Sequence, residues 1–166
     1  MKATGDPRVT LRHDLRPGDL GRVTMQHGVL YAAEYGFDHT FEAYVAESLA
    51  EFGKAAPSPH DRLWLAEMGG RLVGSIGIVG REEGIAQLRW LLVAPEGRGH
   101  GLGRQLIANA IDFCRGSGCA AVYLWTVSVL TAAAHLYIEA GFGLTEEHVR
   151  MMWGTTVTEQ RYDLRL

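Results

Sequence analysis

The run from Ile85 to Trp125 constrains this chain most. A period-2 apolar segment, Ile85–Ala94, is stopped by Pro95. The glycine-rich segment Gly97–Gly103 then feeds a helical pattern bearing Leu106, Ile107, Ala110, Ile111 and Cys114. A buried-type strand, Ala121–Trp125, follows. Strand, helix and strand in succession predict one parallel crossover. The segments before it are joined by tight turns instead. Leu63–Glu67 and Arg71–Val79 flank Gly69-Gly70, a hairpin signal, and Gly80–Gly84 turns the chain back into Ile85–Ala94. A sheet with both kinds of connection is mixed and largely antiparallel.

The remaining segments complete the order. Val9–Arg12 reads as a short first strand. Pro17-Gly18-Asp19 opens a helix with Leu20, Val23, His27, Leu30, Tyr31 and Glu34 on one face and Gly36 as its stop. A second helix carries Phe41, Val45, Leu49 and Phe52, and the loop Ala55–His60 holds two prolines. Gly116-Ser117-Gly118 ends the crossover helix, and Ala132–Ala140 is a helix closed by Gly141. Strands around Leu144–Met152 and Arg161–Leu166 finish the chain. The order β-α-α-β-β-β-α-β-α-β-β predicts an α/β (α+β) fold, a seven-stranded mixed sheet flanked by about four helices. No linker or repeat divides it, so residues 1–166 read as one domain.

Composition excludes several classes of function. The formal net charge is −3, which argues against a generic nucleic-acid binder. No apolar run approaches the roughly 20 residues of a membrane span, and the polar stretch Met1–Arg12 shows no secretory signal. Cys114 and Cys119 form neither a CxxC nor a zinc-type cluster, so a reduced, cytoplasmic protein is expected. No two of the seven histidines stand at i, i+4 and no HExxH occurs, so no metal is expected.

The strongest chemical signal is Arg98-Gly99-His100-Gly101-Leu102-Gly103, between a strand and an amphipathic helix. Glycines there let backbone N–H groups face a ligand, and the helix N-terminus adds positive potential, so an anion such as pyrophosphate fits. The only lysines are Lys2 and Lys54, which removes a P-loop. The dinucleotide fingerprint needs another spacing, after the first strand.

The segment Leu91–Leu106, with Arg98, Gly101 and Gly103, resembles motif A of the GNAT acyltransferases, and Ala133-Ala134-His135-Leu136-Tyr137-Ile138-Glu139-Ala140-Gly141-Phe142 resembles the family's later helix. More finely, Gly18–Gly21, His27-Gly28, Tyr31, Glu34–Gly36 and Leu124–Thr126 resemble the acetyltransferase half of fusions that carry a MarR-type regulator in front. This chain has no room for that regulator before Val9, and is expected to be the catalytic half standing alone. The resemblance implies acetyl transfer from acetyl-CoA to a primary amine of a small molecule or peptide by direct attack. It implies that Leu91, Leu92 and Val93 pair through their backbone with the pantetheine arm. It gives the turn Arg98, Gly99, His100, Gly101, Leu102, Gly103 and Arg104 to the CoA pyrophosphate, mostly through N–H groups, with His100 a solvent-facing spacer. Ala133 joins them at the later helix. Tyr137 matches the tyrosine that donates a proton or hydrogen bond to the departing thiolate. Where the family often has an asparagine this chain has Leu130, so Ser128 is the substitute cofactor contact, and Ser128 or Thr131 a helix cap.

The general base is not given by the motifs, because the strand Ile85–Trp90 holds no carboxylate. Glu34 is the best replacement, on the same helix face as His27. The two form either a base or cation-binding patch, or a structural pair, and a water relay is the third alternative for the base. His27, Tyr31, Glu34 and Trp125 are the acceptor-binding candidates. The rival is a non-catalytic acyl-CoA-binding sensor, and a third reading is an interaction subunit without cofactor. The resemblance allows a homodimer paired through the late strands.

Overall fold

A computed structural model describes residues 8–166. The first seven residues, part of the stretch on which the absence of a secretory signal was read, lie outside the described residues. Seven strands form one sheet: β1 (Val9–Arg12), β2 (Arg62–Met68), β3 (Arg71–Gly80), β4 (Ile85–Val93), β5 (Ala121–Val127), β6 (Gly143–Met152) and β7 (Thr155–Arg165). Their order is β1-β2-β3-β4-β5-β7-β6, and among the described residues only β4 and β5 pair in parallel. Four helices flank the sheet: α1 (Asp19–Tyr35), α2 (His39–Lys54), α3 (Leu102–Gly116) and α4 (Thr131–Glu139). This is the mixed, mostly antiparallel architecture that the order of segments predicts. Among the described residues, no helix is long and apolar enough to cross a membrane.

Successive residues of β2 enter opposite cores, as a strand's period of two requires. Leu63 and Leu65 pack with Val23 of α1 and Phe41, Val45 and Leu49 of α2. Trp64 and Ala66 pack with Leu106, Ile107, Ala110 and Cys114 of α3. Helices α1 and α2 therefore cover one face and α3 the other. Each fully buried leucine or isoleucine side chain contributes about 1.5–3 kcal/mol. The start of α1 is tied down electrostatically. Asp19, 2% exposed, accepts from Arg12, from Arg22 and from the Arg16 N–H at 2.7–2.8 Å, and both guanidinium groups also reach Glu67 of β2. The hydrogen bond from Arg12 is the largest cause holding the Asp19 carboxyl well below the usual carboxylate range.

Two departures from the expected segments bear on function. The last strand begins at Thr155, not near Arg161, because Trp153 (φ 57°) and Gly154 (φ 80°) form a two-residue hairpin loop with both φ positive. A tryptophan rarely signals such a turn. It is held here by ring contacts with Phe37, Phe41 and Tyr44, and by the Asp38 N–H, which donates to its carbonyl at 3.0 Å. The second departure is a bulge in β4. Between the pairs Ser75↔Leu92 and Gly77↔Arg89, β3 has one residue and β4 has two, Trp90 and Leu91. Trp90 takes a left-handed conformation (φ 53°), a strained one for its size. Three contacts impose it. Its carbonyl accepts from Ser75 Oγ at 2.7 Å, its indole N–H donates to Ser48 Oγ at 3.0 Å, and its ring lies where Gly77 has no side chain.

Candidate active site

The parallel pairing of β4 and β5 covers only Ile85–Gln87 against Ala121–Tyr123. Beyond it the two strands part, and β4 runs on to Val93 without β5 beside it. Two connected spaces open along this fork, and Tyr31, Leu91 and Leu130 line both.

The first space is a cleft of about 490 Å³ lined by Leu91, Leu92, Val93, the Gly97–Arg104 turn except His100, and Ala132, Ala133 and Leu136 of α4. Its chemistry is main-chain chemistry. Helix α3 has Gly101 (φ 73°) as its N-cap, with no side-chain cap and no acidic residue in its first turn. Helix α4 likewise starts at Leu130 without a side-chain cap. Both N-termini line the cleft with first-turn backbone N–H groups that no side chain caps, a ready site for an anion. Gly101 and Gly99 (φ 84°) supply the left-handed turns. Gly103 supplies close approach: a Cβ there would lie 2.7 Å from Leu136 Cδ1. This construction fits a diphosphate with an extended arm along β4.

Two arginines edge the cleft, each held by a carboxylate from a flanking helix. Arg98 donates to Glu34 at 2.6 Å and to the Val93 carbonyl at 3.1 Å, and Arg104 donates to Glu139 at 2.8 Å. Glu34 therefore does not turn to the interior as its helical spacing suggested. It is partly exposed, lines the cleft, and does not meet His27. The physical reason is Arg98: an ion pair at the rim avoids burying a bare carboxylate. His100 is exposed and lines neither space. Ser128 is also exposed and lines neither, and its N–H donates to the Thr158 carbonyl. Neither Ser128 nor Thr131 caps α4.

The second space, a tighter pocket of about 100 Å³, lies under α1 and α2 and is built of side chains. Its walls are aromatic. Tyr31 stacks on Phe41 at 4.8 Å, Phe41 meets Trp153 edge-on at 4.9 Å, and Trp125 lines the β5 side. Tyr137 of α4 also lines it, 5% exposed, packed against Phe142 and Tyr162. Burial pushes the pKa of its hydroxyl up, so it keeps its proton and remains a donor.

His27 is the most informative member. It is 3% exposed, and its Nδ1 lies 2.8 Å from the Val23 carbonyl. A carbonyl can only accept, so in the neutral ring Nδ1 carries the proton and Nε2 the lone pair. Burial pushes its pKa down to about 4, so the ring is neutral near pH 7. Nε2 is buried with no partner among the described residues, and so is Thr126 Oγ1 on β5. Buried polar atoms are ordinarily satisfied. Two open ones beside one pocket mark a place for a polar ligand group.

The structure brings His27, Tyr31 and Trp125 into one pocket with Tyr137, and sets Glu34 at the cleft instead. Sequence reasoning missed Tyr44, Trp153 and Glu159, which also line the pocket, and gave Arg89 no part in binding. No motif marks them: a tryptophan in a two-residue turn, a tyrosine on a helix and a glutamate on a strand carry no local signal of a shared pocket.

Known proteins match this construction. The family model described as "Acetyltransferase (GNAT) family" covers residues 20–143. N-alpha-acetyltransferase RimI of Mycobacterium tuberculosis (strain ATCC 25618 / H37Rv) is 34% identical over 118 residues, 68% of this chain and 73% of that protein. N-acetyltransferase 8F1 of Rattus norvegicus is 30% identical over 125 residues, 68% of this chain and 56% of that protein. The chain spans about half the length of the rodent relatives it matches. Among solved structures, an acetyltransferase of GNAT family from Staphylococcus aureus Mu50 superposes with a TM-score of 0.77 at 16% identity, over 95% of this chain and 99% of that one, a likeness of fold.

Proposed function

The chain belongs to the GNAT acetyltransferase family, and from that premise we propose that it moves an acetyl group from acetyl-CoA to a primary amine of a small molecule or peptide by direct attack. Acetyl-CoA supplies a thioester, whose acyl carbon is open to an amine. The single observation that carries the reading is the fork: two uncapped helix N-termini open on one side of it and Tyr137 with His27 on the other.

Each group then has a task. The N–H groups at the starts of α3 and α4 hold the diphosphate, with Arg98 and Arg104 exchanging their carboxylate partners for it. The backbone of Leu91, Leu92 and Val93 holds the amide arm. His27 Nε2 accepts a hydrogen bond from the amine and takes the proton that nitrogen sheds as the C–N bond forms and the C–S bond breaks. Tyr137 gives its hydroxyl proton, or a hydrogen bond, to the departing sulfur. Glu34 serves as the partner of Arg98, not as the base. The finer resemblance to regulator-fused acetyltransferases rests on the residues quoted for it.

The test is thiol release from acetyl-CoA with a panel of amines, beside calorimetric titration of acetyl-CoA. Tyr137→Phe is expected to lower kcat by about a hundredfold with acetyl-CoA affinity kept. Binding without turnover on any amine would favour the sensor.

A further inference from the structure

The pocket holds one charge that the protein itself does not answer. Arg89 leaves β4 beside the bulge and lines the pocket. Its guanidinium lies 5.7 Å over the Tyr44 ring and 5.3 Å over the Trp90 ring, and donates to the Tyr44 hydroxyl at 3.2 Å. Among the described residues it has no carboxylate within ion-pair distance, whereas Arg98, Arg104, Arg150 and Arg161 each meet one. The other polar groups of the pocket's outer part are spoken for. Glu159 is paired with Arg150 at 3.0 Å, and Gln87 Oε1 accepts from Arg81 and Tyr123. The cation is thus fixed by ring faces yet left without an anion, while His27 Nε2 and Thr126 Oγ1 stand ready for an N–H group.

We propose that the acceptor is a compact amino-carboxylate, such as a free amino acid, whose carboxylate is held by Arg89 and whose amine is presented to His27 and Thr126. This deepens the acetyl-transfer reading and rests on it. A guanidinium fork matches a carboxylate with two parallel hydrogen bonds. The aromatic walls take the ammonium form on entry. The confined space, about 100 Å³, suits a compact molecule. A polyamine would bring a second positive charge up to Arg89, and an uncharged amide would leave the guanidinium unanswered.

The experiment compares kcat/KM for matched pairs, glycine, alanine, leucine and phenylalanine against their amides, with spermidine added. Rates are referred to the unprotonated amine, since acid and amide differ in amine pKa. Acids are expected to lead amides by about tenfold or more, mainly in KM. Arg89→Gln should collapse that ratio toward one by raising KM for the acids, and Arg89→Lys should restore part of it. Equal use of amides, a preference for spermidine, or an unchanged ratio in Arg89→Gln overturns the proposal. Calorimetry of the same pairs on the protein saturated with CoA separates it from its premise. Acids that bind better than amides while no amine is acetylated sink the transfer reading, and with it the role of acceptor, and leave only a carboxylate-binding pocket. Amides acetylated as well as acids sink the substrate class alone.

Discussion

The cleft at the starts of α3 and α4 is built of main-chain groups, whereas the pocket under α1 and α2 is built of side chains gathered from across the fold. The cleft needs glycines at Gly99, Gly101 and Gly103 and little else from its own residues. The pocket needs His27 and Tyr31 from α1, Phe41 from α2, Arg89 from β4, Thr126 from β5, and Trp153 from the turn between β6 and β7. A site made of backbone recurs with one sequence signature and can serve one common donor. A site made of side chains can change with every acceptor.

The sharpest way to break the contrast is at Gly101. Its φ of 73° admits other residues only with about 1–2 kcal/mol of strain, and a carboxylate there repels the anion the helix terminus attracts. Gly101→Glu should weaken acetyl-CoA binding by at least about two orders of magnitude in calorimetry, while circular dichroism shows the fold retained. Retained affinity would mean that the turn does not hold the donor.

The pocket should show itself through stability rather than donor affinity. The native His27 ring has its pKa near 4, against 6.5 for the free side chain, so below pH 6.5 the unfolded chain binds a proton that the native ring refuses. Its share of stability is full above pH 6.5 and lost between pH 6.5 and 4, about 3 kcal/mol in all. Denaturant unfolding across that range measures it, and His27→Leu should flatten the slope there. The loss below pH 4 belongs to carboxyls held low by their partners, among them Asp19 and Glu67 beside Arg12 and Arg22 and Asp163 beside Arg161. A slope unchanged in His27→Leu would place the acid sensitivity elsewhere.

The smallest effect is expected at the border between the two regions. Glu34→Gln frees Arg98 from a partly exposed ion pair, of the kind that contributes about 0.2–1 kcal/mol. Acetyl-CoA should then bind about 1.5–5-fold more tightly with kcat of the wild-type order. A tenfold loss of kcat would return Glu34 to the role of base.

The same contrast explains what could be read from the sequence. Strand and helix periods, with the turns at Gly69-Gly70 and Gly97–Gly103, carry the architecture and the cleft because those are local, backbone-level facts. Spacing made the pocket legible only along one helix, where His27 and Tyr31 share a face of α1; Trp125 and Tyr137 came with the resemblance. Helical spacing put Glu34 on that face too, but spacing is blind to Arg98, 64 residues away in sequence, which draws it to the rim. Trp153 was beyond reach for a related reason. A two-residue turn at Trp153-Gly154 is stabilised by rings on α2 and on the link before it, and no local propensity announces it. Arg89 was visible as a residue, but its lack of an anion is a property of the whole surroundings.

The fork between β4 and β5 also has a mechanical meaning. The sheet's two halves, β1–β4 and β5–β7, are stitched together by three parallel residue pairs. The candidate site is therefore also a seam, a line along which few main-chain rungs must part. Any molecule laid against the free edge of β4 would act as a temporary strand and lengthen that stitching. The chain should then resist being pulled apart in proportion to how fully the seam is filled, and local opening, followed by hydrogen exchange at Leu91 and Val93, should slow as it fills.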